Sequence, residues 1–427
     1  MSRVAVVGAG AMGLAAAYHL AKAGHDVDVY EAGATAGGMA AHFDFDGLSI
    51  ERYYHFICKS DAPTFALLEE LGLGDRLRWR VTRMGYFYGG KLYRWGDPLS
   101  LLFFPHLSLI SKIRYGLLAF LSTKRSDWSK LDRLHADDWL KAWCGEEGWR
   151  VLWDKLFSLK FYEFSHDISA AWIWTRIKRV GTSRRNIFTE ELGCIDGGSE
   201  VLVDRLCERI RDMGGRIHLS SPVEEVRIEG GAVAAVIVGG EDHPVDAVIS
   251  TVPLPLVPKM IPALPEPDKV RYAAVKNIGV VCVVHKLRRS VSGNFWLNVN
   301  DDRIDVPGII EFSRLRDVGS DTIVYVPYYM PITNPSFGRS DEAFIAESFG
   351  YLKLINPDLT DADRKSSAVG RLRYSQPICP PGFLDTVPPV VSAIRGLQIA
   401  DTSIYYPEDR GIAESARLAK EMAARVS

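Results

Sequence analysis

The chain has 427 residues, 47% hydrophobic and 24% charged, with 51 Lys and Arg against 53 Asp and Glu for a net charge of −2. Those proportions exclude a disordered or fibrous chain, and the charge balance offers no basic surface for nucleic acid. Six scattered cysteines form no CxxC pair and no ligand spacing, so neither a disulfide framework nor a metal is expected.

Val4 to Val7 is a short β-branched run followed by Gly8, Gly10 and Gly13, a helical pattern, and then VDVYE ending in Glu31. The apolar start behind Arg3 has the composition of a secretory leader. The glycines interrupt it, however, and the pattern continues unbroken into the next strand, so it is read as part of the folded protein. Strand, glycine turn, helix, strand and acid together answer the demands of a dinucleotide. Gly8 allows the tight turn, Gly10 removes a Cβ where a pyrophosphate approaches, and Gly13 lets the helix pack close to the strand. The first helical turn, Ala11 and Met12, directs free N–H groups at the phosphates. Glu31, with Ala32 behind it, stands where a carboxylate accepts hydrogen bonds from a ribose.

Gly37 and Gly38 come next, where a loop has to pass close under a pyrophosphate or a flavin ring. From this point the chain resembles the flavoprotein superfamily of amine oxidases, protoporphyrinogen oxidases and phytoene desaturases. Those proteins usually carry Arg after the glycine pair, and here Met39 takes its place. The resemblance implies FAD, with these glycines beneath its diphosphate.

IERYYHFICKSD, Ile50 to Asp61, resembles a stretch of UDP-galactopyranose mutases in which a His is followed by a small polar residue and Asp, here His55, Ser60 and Asp61. In that family the His lies beside flavin and sugar; a hydrogen-bonded core histidine fits equally well. Residues 84–190 are aromatic and basic. Leu109, Ile113, Leu117 and Leu121 recur at helical spacing with cations close by, which suits either a monotopic membrane patch or a buried helix pair of a substrate domain; Pro105 and the charges favour the second. Lys160, Arg176, Lys178 and Arg179 are available to an anionic substrate or form a solvated basic face.

Cys194 to Gly231 reads as a glycine turn, an amphipathic helix and strands, and Asp246 to Pro255 as a buried strand. The resemblance brings the Val223 backbone to the adenine and closes the cofactor domain at Thr251. In residues 261–389 strands alternate. Val283 stands where amine-oxidising relatives carry a Lys, and Cys379 lies near where some relatives attach flavin covalently, although its spacing to Asp401 does not match and a buried free thiol is expected. Finally, a strand delivers Asp401, and a loop leads to Gly411 and a helix beginning at Ile412. In the superfamily this acid bonds the ribityl or diphosphate part of FAD and the helix start faces the flavin N1–C2=O edge, where its dipole stabilises negative charge. YPEDRG puts Tyr405, Tyr406 and Arg410 beside it.

The expected fold is α/β: a Rossmann-type FAD/NAD(P)-binding domain assembled from residues 1–83, 191–260 and 390–427, plus a mixed-sheet substrate domain with a helical cap from 84–190 and 261–389. The expected cofactor is non-covalent FAD, and the expected reaction is hydride transfer from a substrate C–H bond to flavin N5. His55 is the candidate acid/base, with Tyr405 and Tyr406 flanking the ring. A reduced-flavin nucleotide-sugar mutase is the alternative, needing paired arginines such as Arg176, Arg184 and Arg185, or Arg371 and Arg373. A non-catalytic FAD-binding partner is a third reading. The substrate is expected to be a small molecule, sugar- or isoprenoid-linked, and the protein cytoplasmic with peripheral contact to the inner face of a membrane. Composition and spacing leave the oligomeric state open.

Overall fold

The computed structural model describes residues 1–426. In chain order the elements that position the site are β1 (Arg3–Val7), α1 (Ala11–Lys22), β2 (Asp26–Tyr30), β3 (Met84–Tyr88), β4 (Lys91–Trp95), α2 (Leu109–Lys124), α3 (Asp154–Phe161), α4 (Ala170–Thr182), α5 (Ser199–Asp212), β5 (Arg216–His218), β6 (Ala247–Ser250), β7 (Asn277–Leu287), β8 (Trp296–Asn300), β9 (Gly308–Glu311), β10 (Thr322–Met330), β11 (Arg364–Pro377), β12 (Leu397–Ile399) and α6 (Ile412–Ala423).

One sheet has the order β5-β2-β1-β6-β12, and every pairing in it is parallel. Its strands come from the two ends and the middle of the chain. Parallel strands are covered on both faces, which is why Val4 to Val7 and Ala247 to Ser250 are buried throughout. One face packs on α1, α5 and α6. Ala15, Ala16 and Ala17 of α1 are fully buried, as is Ala419 of α6, and such small side chains let those two helices approach closely. The other face packs beneath a meander of Val223–Glu229, Ala232–Val238 and Glu241–Pro244.

The second sheet has the order β11-β7-β10-β9-β8-β3-β4, antiparallel except where β8 runs parallel to β3. β7 is buried from Ile278 to Leu287. Its alternate residues Val280, Cys282 and Val284 join a core with the cap helices, while Val281 and Val283 join a core on the opposite face. The expected alternation is present with both faces apolar, because a helix layer covers each side.

The helix at 109–124 forms, but not as part of a buried pair. Ser111, Leu118 and Ser122 fill its inner face. Its larger side chains turn outward: Leu109, Ile110, Ile113 and Phe120 are all 59–69% exposed. Two small serines allow α2 to sit close on the helices beneath, which leaves no depth for the leucines and isoleucines on that side. Among the described residues no helix is long and apolar enough to cross a membrane.

Candidate active site

The fingerprint loop is held by contacts that its glycines make possible. Gly8 has a φ of +102°, and Thr251 Oγ1 at the end of β6 donates to the Val7 carbonyl at 3.0 Å beneath it. A Cβ on Gly13 would meet the Gly8 carbonyl oxygen at 1.9 Å. The second glycine turn packs against the first: Gly37, at φ +110°, donates its N–H to the Ala9 carbonyl at 2.7 Å. At Gly10 a Cβ would find nothing nearer than the Gly38 Cα at 4.0 Å, so that face of the loop is open. Behind Gly10, α1 begins with no side-chain cap and no acid in its first turn, which leaves the Ala11 and Met12 N–H end electropositive. Glu31 accepts from the Ala9 N–H at 2.8 Å and the Gly33 N–H at 2.7 Å, one bond per carboxylate oxygen, and each oxygen keeps acceptor capacity towards solvent and the exposed Ala32. Val223 opens its strand two residues after Ser221, whose N–H bonds the Glu31 carbonyl, so it stands at the same end of the sheet.

A cavity between the two sheets is lined by Met39, His55, Val280, Cys282, Trp296, Tyr329, Gly411 and Ile412 together with charged groups. Helix α6 opens into it with Gly411 as N-cap and no side-chain cap. His55 Nδ1 is buried without a hydrogen-bond partner, and burial, outweighing nearby Glu51, lowers the pKa of the ring. Neutral imidazole with an unused ring nitrogen therefore faces the cavity. Tyr54 and Tyr329 stand with their hydroxyls 3.4 Å apart. Arg179 pairs with Asp61 at 2.7 Å and Arg176 with Asp409 at 2.8 Å. Asp409 is held well below the usual carboxylate range by Arg176, Arg179 and Arg410, against the cost of its burial.

A family of sequences described as flavin containing amine oxidoreductase matches residues 13–347. The chain belongs to this family. FAD is its cofactor. Zeta-carotene desaturase of Synechocystis is 28% identical over 251 residues, 53% of this chain and 50% of that protein. Protoporphyrinogen oxidase 2 of Arabidopsis thaliana is 32% identical over 139 residues, 32% of this chain and 27% of that protein. The chain spans about half the length of the carotene desaturases it matches. Cyclohexylamine oxidase from Brevibacterium oxydans shares the fold with a TM-score of 0.74 at 17% identity, covering 99% of this chain and 98% of that one. No support for a mutase comes from these relatives.

The residues present fit FAD. The open face at Gly10, the uncapped start of α1 and Glu31 line one path, and the uncapped start of α6 and the orphaned His55 nitrogen stand at its other end. Several expected contacts take another form. The Asp401 carboxylate, 7% exposed, accepts from the Leu254 N–H at 2.9 Å and the Ser403 N–H at 2.8 Å, and so pins two loops. Tyr405 is buried under α1 and α6, its hydroxyl 2.9 Å from Ser415 Oγ. Tyr406 points into the cap, bonding Ser169 Oγ at 2.6 Å and Asp132 at 2.7 Å. Neither tyrosine lines the cavity, because the turn from Thr402 to Tyr405 sends consecutive side chains into two different cores. Of the arginines considered for a diphosphate, Arg184 bonds the Gly96 carbonyl at 2.5 Å, Arg371 pairs with Asp341, Arg185 and Arg373 are exposed, and none of these four lines the cavity. Val283 faces away from the cavity, and Cys379 is a buried free thiol in the cap core. Asp409, Trp296 and Tyr329 were not legible as site residues; only the adjacency of Asp409 to Gly411 hinted at it.

Proposed function

We propose that this flavoprotein oxidises a small molecule by taking a hydride from a substrate C–H bond onto non-covalently held FAD. The observation that carries the reading is the pairing, in one cavity, of the uncapped start of α6 with an imidazole whose buried Nδ1 has no hydrogen-bond partner. Bound flavin supplies the hydride acceptor at N5. The chain does the rest. The α6 N–H groups offer fixed donors where negative charge develops. Neutral His55 accepts a proton from a substrate heteroatom at Nδ1, within a site walled by Tyr54, Trp296 and Tyr329 that keeps water out. Anaerobic mixing of the flavin-loaded protein with candidate substrates tests this: loss of the oxidised flavin band supports oxidation.

The exposed side chains of α2 support a second element of the reading, peripheral membrane contact. Leu102 and Phe103, 50% and 78% exposed, extend the apolar face of α2, and exposed Lys124 and Arg125 end it. An apolar helical face with terminal cations suits an anionic bilayer surface. Vesicle co-sedimentation tests it.

A further inference from the structure

The charges around the cavity do not cancel. Arg176 and Arg179 are matched by Asp409 and Asp61, and exposed Glu408 faces the same two arginines from outside. Two more cations line the cavity and form no ion pair with a carboxylate, although Asp409, already paired with Arg176, acts on both from a distance. Lys160, on α3, has its ammonium among rings only, 5.1 Å from the centroids of Trp172 and Tyr329 and 5.8 Å from that of Phe161. Arg410 donates to the carbonyl and hydroxyl of Ser375 on β11, with its guanidinium carbon 5.9 Å from the same Tyr329 ring. Rings and a serine hold these groups in place without neutralising them.

The partners of both side chains, Phe161, Trp172, Tyr329 and Ser375, belong to the helical cap and the second sheet, not to the parallel sheet that carries the glycine turns. An anion seated there therefore belongs to the molecule that enters from the cap. We propose that Lys160 and Arg410 form an anion subsite for the substrate, which carries a dicarboxylate or a phosphate on the part remote from the oxidised C–H bond. A cationic amine meets repulsion in this cavity, and a neutral hydrocarbon leaves two half-buried cations without an ion-pair partner. Burial and the nearby Arg410 and Arg176 guanidiniums disfavour the Lys160 ammonium, outweighing Asp409, and an anion bound beside it favours the charged form.

The inference deepens the oxidase reading and rests on it only for the location of the flavin. Its test is a calorimetric titration of full-length, flavin-loaded protein with succinate, inorganic phosphate, succinamide and 1,4-diaminobutane. Binding of succinate or phosphate, with succinamide and the diamine failing to compete, is expected, and whichever anion binds tighter identifies the source of the charge. Lys160→Gln and Arg410→Gln each weaken that binding by about tenfold or more, and Lys160→Arg restores most of it. Equal binding of the uncharged or cationic compound, failure of both anions to bind, or unchanged affinity in both glutamine variants overturns the proposal. Flavin content measured on the same preparation separates the two readings. A flavin-loaded protein indifferent to anions removes the subsite alone, whereas a protein that binds succinate but cannot be loaded with FAD removes the oxidase reading alone.

Discussion

The alanine Cβ that Gly13 lacks would stand 1.9 Å from the carbonyl oxygen of Gly8. That oxygen is backbone, in a turn already held from below by Thr251, so it cannot yield without moving the loop that faces the pyrophosphate. Gly13→Ala is expected to destabilise the protein by about 1–3 kcal/mol, as overpacking does, and to lower the flavin retained on purification. Thermal melting and the ratio of flavin to protein absorbance check both.

Tyr406 links the cofactor end of the chain to the cap through Asp132 and Ser169, outside the cavity. Tyr406→Phe leaves a buried carboxylate short of a donor and is expected to cost about 1–3 kcal/mol in stability. The flavin spectrum and the affinity for any cavity ligand stay as in the parent. A changed spectrum at unchanged stability would return Tyr406 to the ring.

Burial, then Arg410 and Arg176, bring the Lys160 pKa to about 7 from 10.5, although the residue as a whole is only half-buried. The groups facing it around the cavity are Arg176, Arg179, Arg410, Asp61, Asp409 and the neutral His55. Anion affinity is therefore expected to be full below about pH 7 and to fall as pH rises through it, while Lys160→Met is flat across that window. Stability runs the other way. Between about 7 and 10.5 the unfolded chain keeps a proton that the folded Lys160 has lost, so this group makes the protein more stable as pH rises there. Calorimetric affinities and melting temperatures measured across the same buffers separate the two trends.

The outward face of α2 predicts binding to anionic vesicles that weakens with added salt. Ile113→Asp with Phe120→Asp is expected to abolish co-sedimentation and to leave melting unchanged, since both side chains are about 60% exposed.

Much of the nucleotide end was legible because local geometry dictates residue type: positive φ at Gly8 and Gly37, and a backbone contact at Gly13, admit little else. The parallel strands were legible as continuous apolar runs. The flavin-facing end was harder to read. Asp401 looks like a ligand in sequence, but that its carboxylate also caps a turn and ties down Leu254 is a tertiary contact no local pattern shows. Consecutive Tyr405 and Tyr406 enter separate cores for the same reason. Lys160 and Arg410, distant in sequence, meet only through Tyr329. Between the two readings of α2 the sequence favoured the buried one, because helical periodicity identifies an apolar face without saying what covers it.

On this reading the chain uses FAD to oxidise an anionic small molecule. The most direct measurement is the visible spectrum of flavin-loaded protein mixed anaerobically with paired substrates, each an oxidisable compound with a carboxylate or phosphate and its uncharged counterpart. Bleaching of the flavin band by a charged member, and not by its uncharged partner, is the predicted result. A protein that cannot be loaded with FAD, or one bleached equally by uncharged substrates or by amines, would contradict it.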